Sequence, residues 1–205
     1  IRGTVTERTR PGSPERHAIR PRNGLKLARM ALFTALGAAL GYALSGVPNV
    51  ELVTATVFIA GAVLGPREGA LVGAAAEALY TSFHPMGAPA PPLWVAQVLG
   101  MSLAGMAGGF WRRFPAQSFI RSRYGAAAAG LLCAITFDLL TTASFAFFMH
   151  FNLEQIIRSF IFGLWFTFLH AAANTLIFAL LVPAVLARLA AIENVPGSKQ
   201  TGECS

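Results

Sequence analysis

Charged residues are scarce in this chain of 205 residues: they make up 12% of the composition, whereas hydrophobic residues make up 55%. A soluble globular domain carries about 25% charged residues, and here long stretches of sequence have none. This pattern excludes a large soluble core and indicates an integral membrane protein. The net charge of +7 does not indicate a nucleic-acid partner, because the basic residues flank apolar segments and form no folded basic face.

Motifs for catalysis and for metal or cofactor binding are also missing. The sequence contains no HExxH, Walker or GxSxG motif. Of the two cysteines, Cys133 falls in an apolar segment and Cys204 in a polar end, so we expect neither a disulfide nor a metal site. The sequence therefore predicts that the protein is not an enzyme and has no catalytic residues, no metal and no cofactor.

Apolar segments are what the sequence has in quantity. Six can be drawn, and they predict an all-α integral membrane protein that forms a compact bundle of six transmembrane helices. Their approximate bounds are 30–47, 52–64, 70–83, 93–111, 125–149 and 156–189. The second and third barely cover a hydrocarbon layer of about 30 Å, and a re-entrant hairpin is the alternative for this pair.

The placement of basic residues predicts the orientation. If there are six spans, all of the 16 Lys and Arg residues except Arg158 fall on one side, which the positive-inside rule makes cytoplasmic. The predicted organisation is a disordered basic cytoplasmic tail over 1–25, a membrane domain over 26–190 and a short polar cytoplasmic tail over 191–205.

Ionisable residues inside the apolar segments are few. Asp138 and His170 are expected to hydrogen-bond and tie the fifth segment to the sixth, and Asn174 shares a helix face with His170. Glu77 lies near Tyr80 on one face of the third segment. Packing and ligand binding both remain open for Glu77.

The loops on the predicted outer side combine hydrogen-bonding groups with aromatic side chains. Such a mixture suits a ligand that is part ring and part polar. The candidate binding residues are Asn49, Glu51, His84, Trp94, Gln97 and Arg158. Two of them have simpler interpretations, because Trp94 could be an interfacial belt residue and Arg158 could pair with Glu154 one turn earlier.

Small residues recur along the first segment, "ALFTALGAALGYAL". Alanines occupy every fourth position at Ala31, Ala35, Ala39 and Ala43, and glycines form a neighbouring stripe. Small residues at this spacing allow another helix to approach closely. The partner is either another helix of this bundle or a separate membrane protein.

These features resemble the substrate-binding S component of an energy-coupling factor (ECF) transporter, over about residues 26–190. The resemblance rests on the six-span layout and on four stretches of sequence: "ALFTALGAALGYA", "VPNVELVTATVFIAGAVLGPREGALVG", "HPMGAPAPPLWVAQVLGM" and the following "GMAGG". It implies a vitamin-like small-molecule ligand bound near the outer face. It also implies that Ala31, Ala35 and Ala39, with Ala43 as an extension, dock onto a membrane T component driven by two cytoplasmic ATPase subunits.

The resemblance further implies a multi-pass protein of the prokaryotic inner (plasma) membrane with both termini cytoplasmic. In the mechanism that it implies, the protein topples in the membrane and carries its ligand inward. The family's ligands include riboflavin, thiamine, biotin, pantothenate, folate and cobalamin or its precursors. The proline-rich loop gives cobalamin or a precursor a slight preference. The alternative functions are a self-contained small transporter or channel and, less favoured, a membrane enzyme or a structural subunit of the cell envelope.

Overall fold

Six α-helices and one short 3-10 helix form the regular structure of residues 21–193, the part of the chain that the computed structural model describes. The α-helices are α1 (Pro21–Leu44), α2 (Val53–Leu64), α3 (Pro66–Ser82), α4 (Pro91–Trp111), α5 (Arg123–Phe148) and α6 (Leu153–Glu193). The 3-10 helix spans Phe119–Arg121, just before α5. The prediction of an all-helical fold is confirmed for these residues.

Local sequence signals explain where several helices begin. Proline opens α3 at Pro66 and α4 at Pro91, where a missing N–H costs nothing and the fixed φ suits the first helical turn. Ser122 caps α5, because its hydroxyl accepts hydrogen bonds from the backbone N–H groups of Tyr124 and Gly125. These starts fix the register of the side chains that face the bundle interior.

The short helix α2 lies at the centre of the bundle. It packs against α1, α3, α4 and α6, and all ten residues from Val53 to Ala62 are buried. A helix that is apolar on every side is expected to be enclosed in this way. α2 therefore supplies the core on which the longer helices assemble.

Glycines bring α2, α3 and α4 unusually close together. A Cβ added at Gly61 would lie 2.9 Å from the carbonyl carbon of Gly105 on α4. A Cβ added at Gly69 on α3 would lie 2.5 Å from the Cα of Gly61. Because real Cβ atoms keep at least 3.0 Å from such neighbours, these three helices can pack at this distance only without side chains at the contact.

Four helices in the described part of the chain are long and apolar enough to cross a membrane: α1, α4, α5 and α6. α2 is apolar but has only 12 residues, and α3 has 17. The chain is thus a multi-pass membrane protein. α6 is the longest helix, with 41 residues, which at 1.5 Å per residue is about 60 Å or roughly twice the hydrocarbon thickness.

Helices extend into both predicted tails. α1 begins at Pro21, within the predicted 1–25 tail, and α6 continues to Glu193, beyond the predicted boundary at 190. The disorder expected for the rest of the tails concerns residues 1–20 and 194–205, which lie outside the described residues. α1 begins early because a proline at its first position is followed within one turn by good helix formers, Leu25 and Lys26.

Candidate functional site

A cavity of about 340 Å³ opens at one end of the bundle, where the α1–α2 and α3–α4 connections meet. We call this the distal end. The connections contribute Asn49, Glu51 and His84 to the wall, and the interior is lined from α3, α4, α5 and α6 by Glu77, Tyr80, Gln97, Phe137, Asp138 and His170. Four of the six predicted binding residues, Asn49, Glu51, His84 and Gln97, thus meet in one place.

Glu51 lies two residues before the start of α2, and the first turn of that helix holds its carboxylate in place. One carboxylate oxygen accepts a hydrogen bond from the backbone N–H of Thr54 at 2.9 Å, and the other accepts from the Thr54 hydroxyl. Burial alone would raise the pKa of Glu51, but the contacts with His170 and Thr54 outweigh burial and hold that pKa below its ordinary value. Glu51 is therefore ionised at neutral pH.

His170 links two carboxylates across the cavity. Its Nδ1 lies 2.8 Å from Oδ1 of Asp138, and its Nε2 lies 3.8 Å from a carboxylate oxygen of Glu51. The hydrogen bond expected between Asp138 and His170 is thus present and joins α5 to α6. Asn174 donates from its side-chain amide to the carbonyl oxygen of His170 at 3.3 Å, on the same side of α6.

Glu77 is the most enclosed acidic residue of the cavity wall, with only 2% of its surface exposed. Its Oε2 has no hydrogen-bond partner. Two further acceptors of the wall, Asp138 Oδ2 and Gln97 Oε1, are buried and also lack partners. Buried acceptors are nearly always satisfied in folded proteins, and three of the four unpartnered ones among the described residues lie in this wall; the fourth is Asn174 Oδ1.

Tyr80 and His84 form a polar pair at the rim. The backbone N–H of Met86 donates to Nδ1 of His84 at 3.2 Å, and Nε2 of His84 lies 3.2 Å from the Tyr80 hydroxyl oxygen. Because Nδ1 accepts a hydrogen bond, the ring proton lies on Nε2, which donates to the Tyr80 oxygen. The Tyr80 hydroxyl proton is then free to point into the cavity.

Asn49 lies at the tightest point of the α1–α2 connection. Its φ is 59°, in the left-handed region that asparagine tolerates better than most residues. This turn carries the chain from the end of α1 across the cavity to Glu51. The connection forms part of the cavity wall rather than projecting away from it.

Trp94 and Arg158 do not line the cavity. The indole N–H of Trp94 donates to the Ser82 hydroxyl at 3.1 Å, which joins the start of α4 to the end of α3. Arg158 has 67% of its side chain exposed and pairs with Glu154 at 2.6 Å, four residues earlier on α6. The geometry therefore gives no support to the predicted ligand contacts of these two residues, and it shows the pair with Glu154 that was the simpler interpretation of Arg158.

Three ionisable residues of the cavity wall, Glu77, Asp138 and His170, were not among the predicted binding residues. Asp138 and His170 were interpreted as a link between helices, which they are, but they also face the cavity together with Phe137. Glu77 was left open between packing and binding. The usable signal was the same for all three ionisable residues, because charge inside an apolar segment usually marks a functional site. Phe137 carried no comparable signal.

No group of three or more His, Cys, Asp and Glu side chains in the described residues is arranged to hold a metal ion. The cavity has instead the character of a small-molecule site, with convergent polar groups set among Tyr80, Phe137 and Met101. Its volume lies near the small end of the roughly 300–1,000 Å³ that is usual for ligand pockets.

The opposite end of the bundle is basic. A second cavity of about 340 Å³ there is lined by Arg29, Arg112 and Arg121 among apolar side chains. Arg112 donates to the carbonyl oxygen of Ala62 at 2.9 Å and so satisfies the C-terminal end of α2. The two ends of the molecule therefore differ sharply in charge.

Two stripes of small residues on α1 face in different directions. Gly37 and Gly41 are buried, and a Cβ added at Gly41 would lie 2.8 Å from the Tyr80 ring. The alanine stripe, consisting of Ala31, Ala35, Ala39 and Ala43, is exposed along its whole length. Packing within the bundle uses the glycines, so the alanine stripe is left on the surface.

Comparison with known proteins identifies one family. The sequence model of the substrate-specific component of ECF transporters matches residues 25–186. That family consists of transporter subunits and not of enzymes. No curated protein and no solved structure matches the chain.

Proposed function

Because the chain belongs to the family of ECF transporter substrate-specific components, we propose that it captures a vitamin-like compound in the distal cavity. The loaded protein then docks on a membrane T component driven by two ATPase subunits and delivers the compound inward. The observation that carries the proposal is the cavity itself, where buried polar groups from four helices converge at one end of an apolar bundle.

The size of the cavity favours a small ligand. A volume of about 340 Å³ suits a compound of one or two rings better than a corrinoid. Tyr80 and Phe137 offer aromatic surface inside it, which is the role expected earlier of Trp94. The α1–α2 connection with Asn49 and Glu51 forms the part of the wall that would have to move for the ligand to enter.

We place the docking surface on the alanine stripe of α1. All four alanines of the stripe are exposed, whereas the glycine stripe of α1 faces the bundle core together with Ala38. An exposed row of small residues lets a second membrane protein approach the α1 backbone closely. This arrangement supports assembly with a T component through α1.

We further propose that all six helices cross the membrane. α2 and α3 would span about 18 Å and 25 Å at 1.5 Å per residue, less than the hydrocarbon layer. α2 is buried among its neighbours and does not depend on lipid to cover its ends. The distal cavity then faces outward, and the basic end with Arg112 and Arg121 faces the cytoplasm of a prokaryotic cell, together with both termini.

Reconstitution into proteoliposomes tests the proposal. The protein is incorporated alone, or together with a T component and two ATPase subunits from the same organism, and uptake of radiolabelled vitamins is followed with and without internal ATP. We expect uptake only with the complete module and ATP. Uptake by the protein alone would favour a self-contained transporter, and absence of binding to any vitamin would refute the proposed role.

A further inference from the structure

We propose that the ligand of the distal cavity is a small organic cation that presents N–H donors, and not a carboxylate or phosphate compound. Protonated amines, amidines and aminated nitrogen heterocycles have this chemistry. The inference rests on the proposed function, because it assumes that the cavity is the ligand site. It is carried by three observations: the charge of the wall, its unpartnered acceptors and its aromatic surface.

The wall carries more negative than positive charge. Three carboxyl groups line it, those of Glu51, Glu77 and Asp138, and none of the described lining residues is Lys or Arg. His170 lies between Glu51 and Asp138, so even its protonated form neutralises only one of them. An anionic ligand would meet repulsion in a site of low dielectric, where like charges interact strongly.

The unpartnered atoms of the wall are all acceptors. Glu77 Oε2 on α3, Gln97 Oε1 on α4 and Asp138 Oδ2 on α5 are buried without a donor. Glu77 is 98% buried, since only 2% of its surface is exposed. An N–H-bearing cation satisfies such acceptors with charge-assisted hydrogen bonds, whereas a ligand without donors would leave them desolvated and unpaired.

The aromatic groups of the wall also suit a cation. Tyr80 and Phe137 both line the cavity, and the face of an aromatic ring attracts a nearby positive charge. Arg158, the arginine among the predicted binding residues, lies elsewhere on α6 and pairs with Glu154. The described part of the cavity wall therefore offers no Lys or Arg side chain to a carboxylate or phosphate.

Native mass spectrometry of the protein purified in mild detergent tests the inference, with the released small molecule analysed for mass and for charge between pH 6 and 8. A calorimetric panel accompanies it: thiamine as the cation, biotin and pantothenate as anions, and riboflavin as a neutral compound. A bound cation is the expected result. A stoichiometric anion or neutral compound would overturn this inference and leave the proposed function standing, whereas no bound compound of any charge would count against both.

A matched pair of variants tests the contact itself. Glu77→Gln replaces an ionisable carboxyl group of the cavity with an amide, and Glu154→Gln makes the same change on an exposed part of α6. Loss of one charge-assisted hydrogen bond should weaken binding of the cation about tenfold to hundredfold in E77Q, and E154Q should bind as wild type does.

Unchanged affinity in E77Q would refute the contact. Thermal unfolding without ligand checks that E77Q is folded. Should E77Q fail to fold, Gln97→Leu provides the second test, because it removes an acceptor without changing charge. Q97L should weaken binding of an N–H cation several-fold, and normal binding by Q97L would contradict the inference.

Discussion

The close contact between α3 and α4 beneath the cavity leads to a sharp prediction for Gly73→Ala. A Cβ at Gly73 would lie 2.6 Å from the carbonyl carbon of Met101 and 3.1 Å from the backbone nitrogen of Ser102. Both are backbone atoms and cannot rotate away, so the two helices must separate by roughly 1 Å, and overpacking of this kind costs about 1–3 kcal/mol. One turn further along α3 is Glu77, so the same shift enlarges the cavity.

Gly163→Ala is the matched control, because a Cβ there meets nothing within 4 Å. Both variants are purified in the same detergent, and thermal unfolding and ligand affinity are measured. G73A should lower the melting temperature by at least about 2 °C and weaken binding, whereas G163A should be neutral or slightly stabilising, because alanine replaces glycine within a helix. If the two variants behave alike, the tight α3–α4 contact is not what the structure indicates.

Three further substitutions separate docking, binding and packing. Ala35→Phe should prevent co-purification with the T component, because the bulky ring obstructs the exposed alanine stripe. It should leave ligand affinity unchanged, since Ala35 is far from the cavity. Ala128→Phe on the exposed side of α5 is the control and should assemble normally. Arg158→Ala should bind ligand within about twofold of wild type, because an exposed i,i+4 pair contributes little, and a large loss measured by calorimetry would restore its predicted role. Trp94→Phe should lower thermal stability slightly, because it loses one hydrogen bond worth about 1 kcal/mol. Its ligand affinity should equal that of wild type. A marked loss of ligand affinity would place the indole in the site.

The sequence alone located most of the cavity because ionisable and amide side chains are conspicuous in an apolar chain. Charge placed within or beside a membrane segment is costly, so it is kept where a structure needs it. Glu51 and Gln97, which were predicted to bind ligand, line the cavity, and Asp138 and His170 were correctly paired with one another. That His170 also reaches Glu51 depends on how the start of α2 sits against α6, which no local pattern specifies.

Two of the predicted binding residues, Trp94 and Arg158, do not line the cavity, and they show what such reasoning leaves undetermined. Trp94 and Arg158 were placed in the site because their loops lie on the predicted outer side. Loops on the same side of the membrane place their side chains at a similar depth. They do not determine where each side chain lies within that layer. Trp94 is one turn before Gln97 on α4, yet its indole reaches Ser82 on α3. Only the packing of the helices decides which of two neighbouring side chains faces inward.

The small-residue stripes of α1 show how structure resolves what a repeated pattern leaves open. Alanines and glycines both recur every fourth residue there, and either stripe could equally have faced the bundle, because both permit close approach. Glycine occupies the side where Ala76 and Tyr80 leave little room for a Cβ, whereas the stripe of alanines occupies the side that no residue of 21–193 covers. A helix surface that faces only lipid gains nothing from small side chains. On α6 the exposed residues are bulky and apolar, for example Phe162 and Trp165. The contrast between α1 and α6 therefore supports our proposal that the alanine stripe docks onto a protein partner.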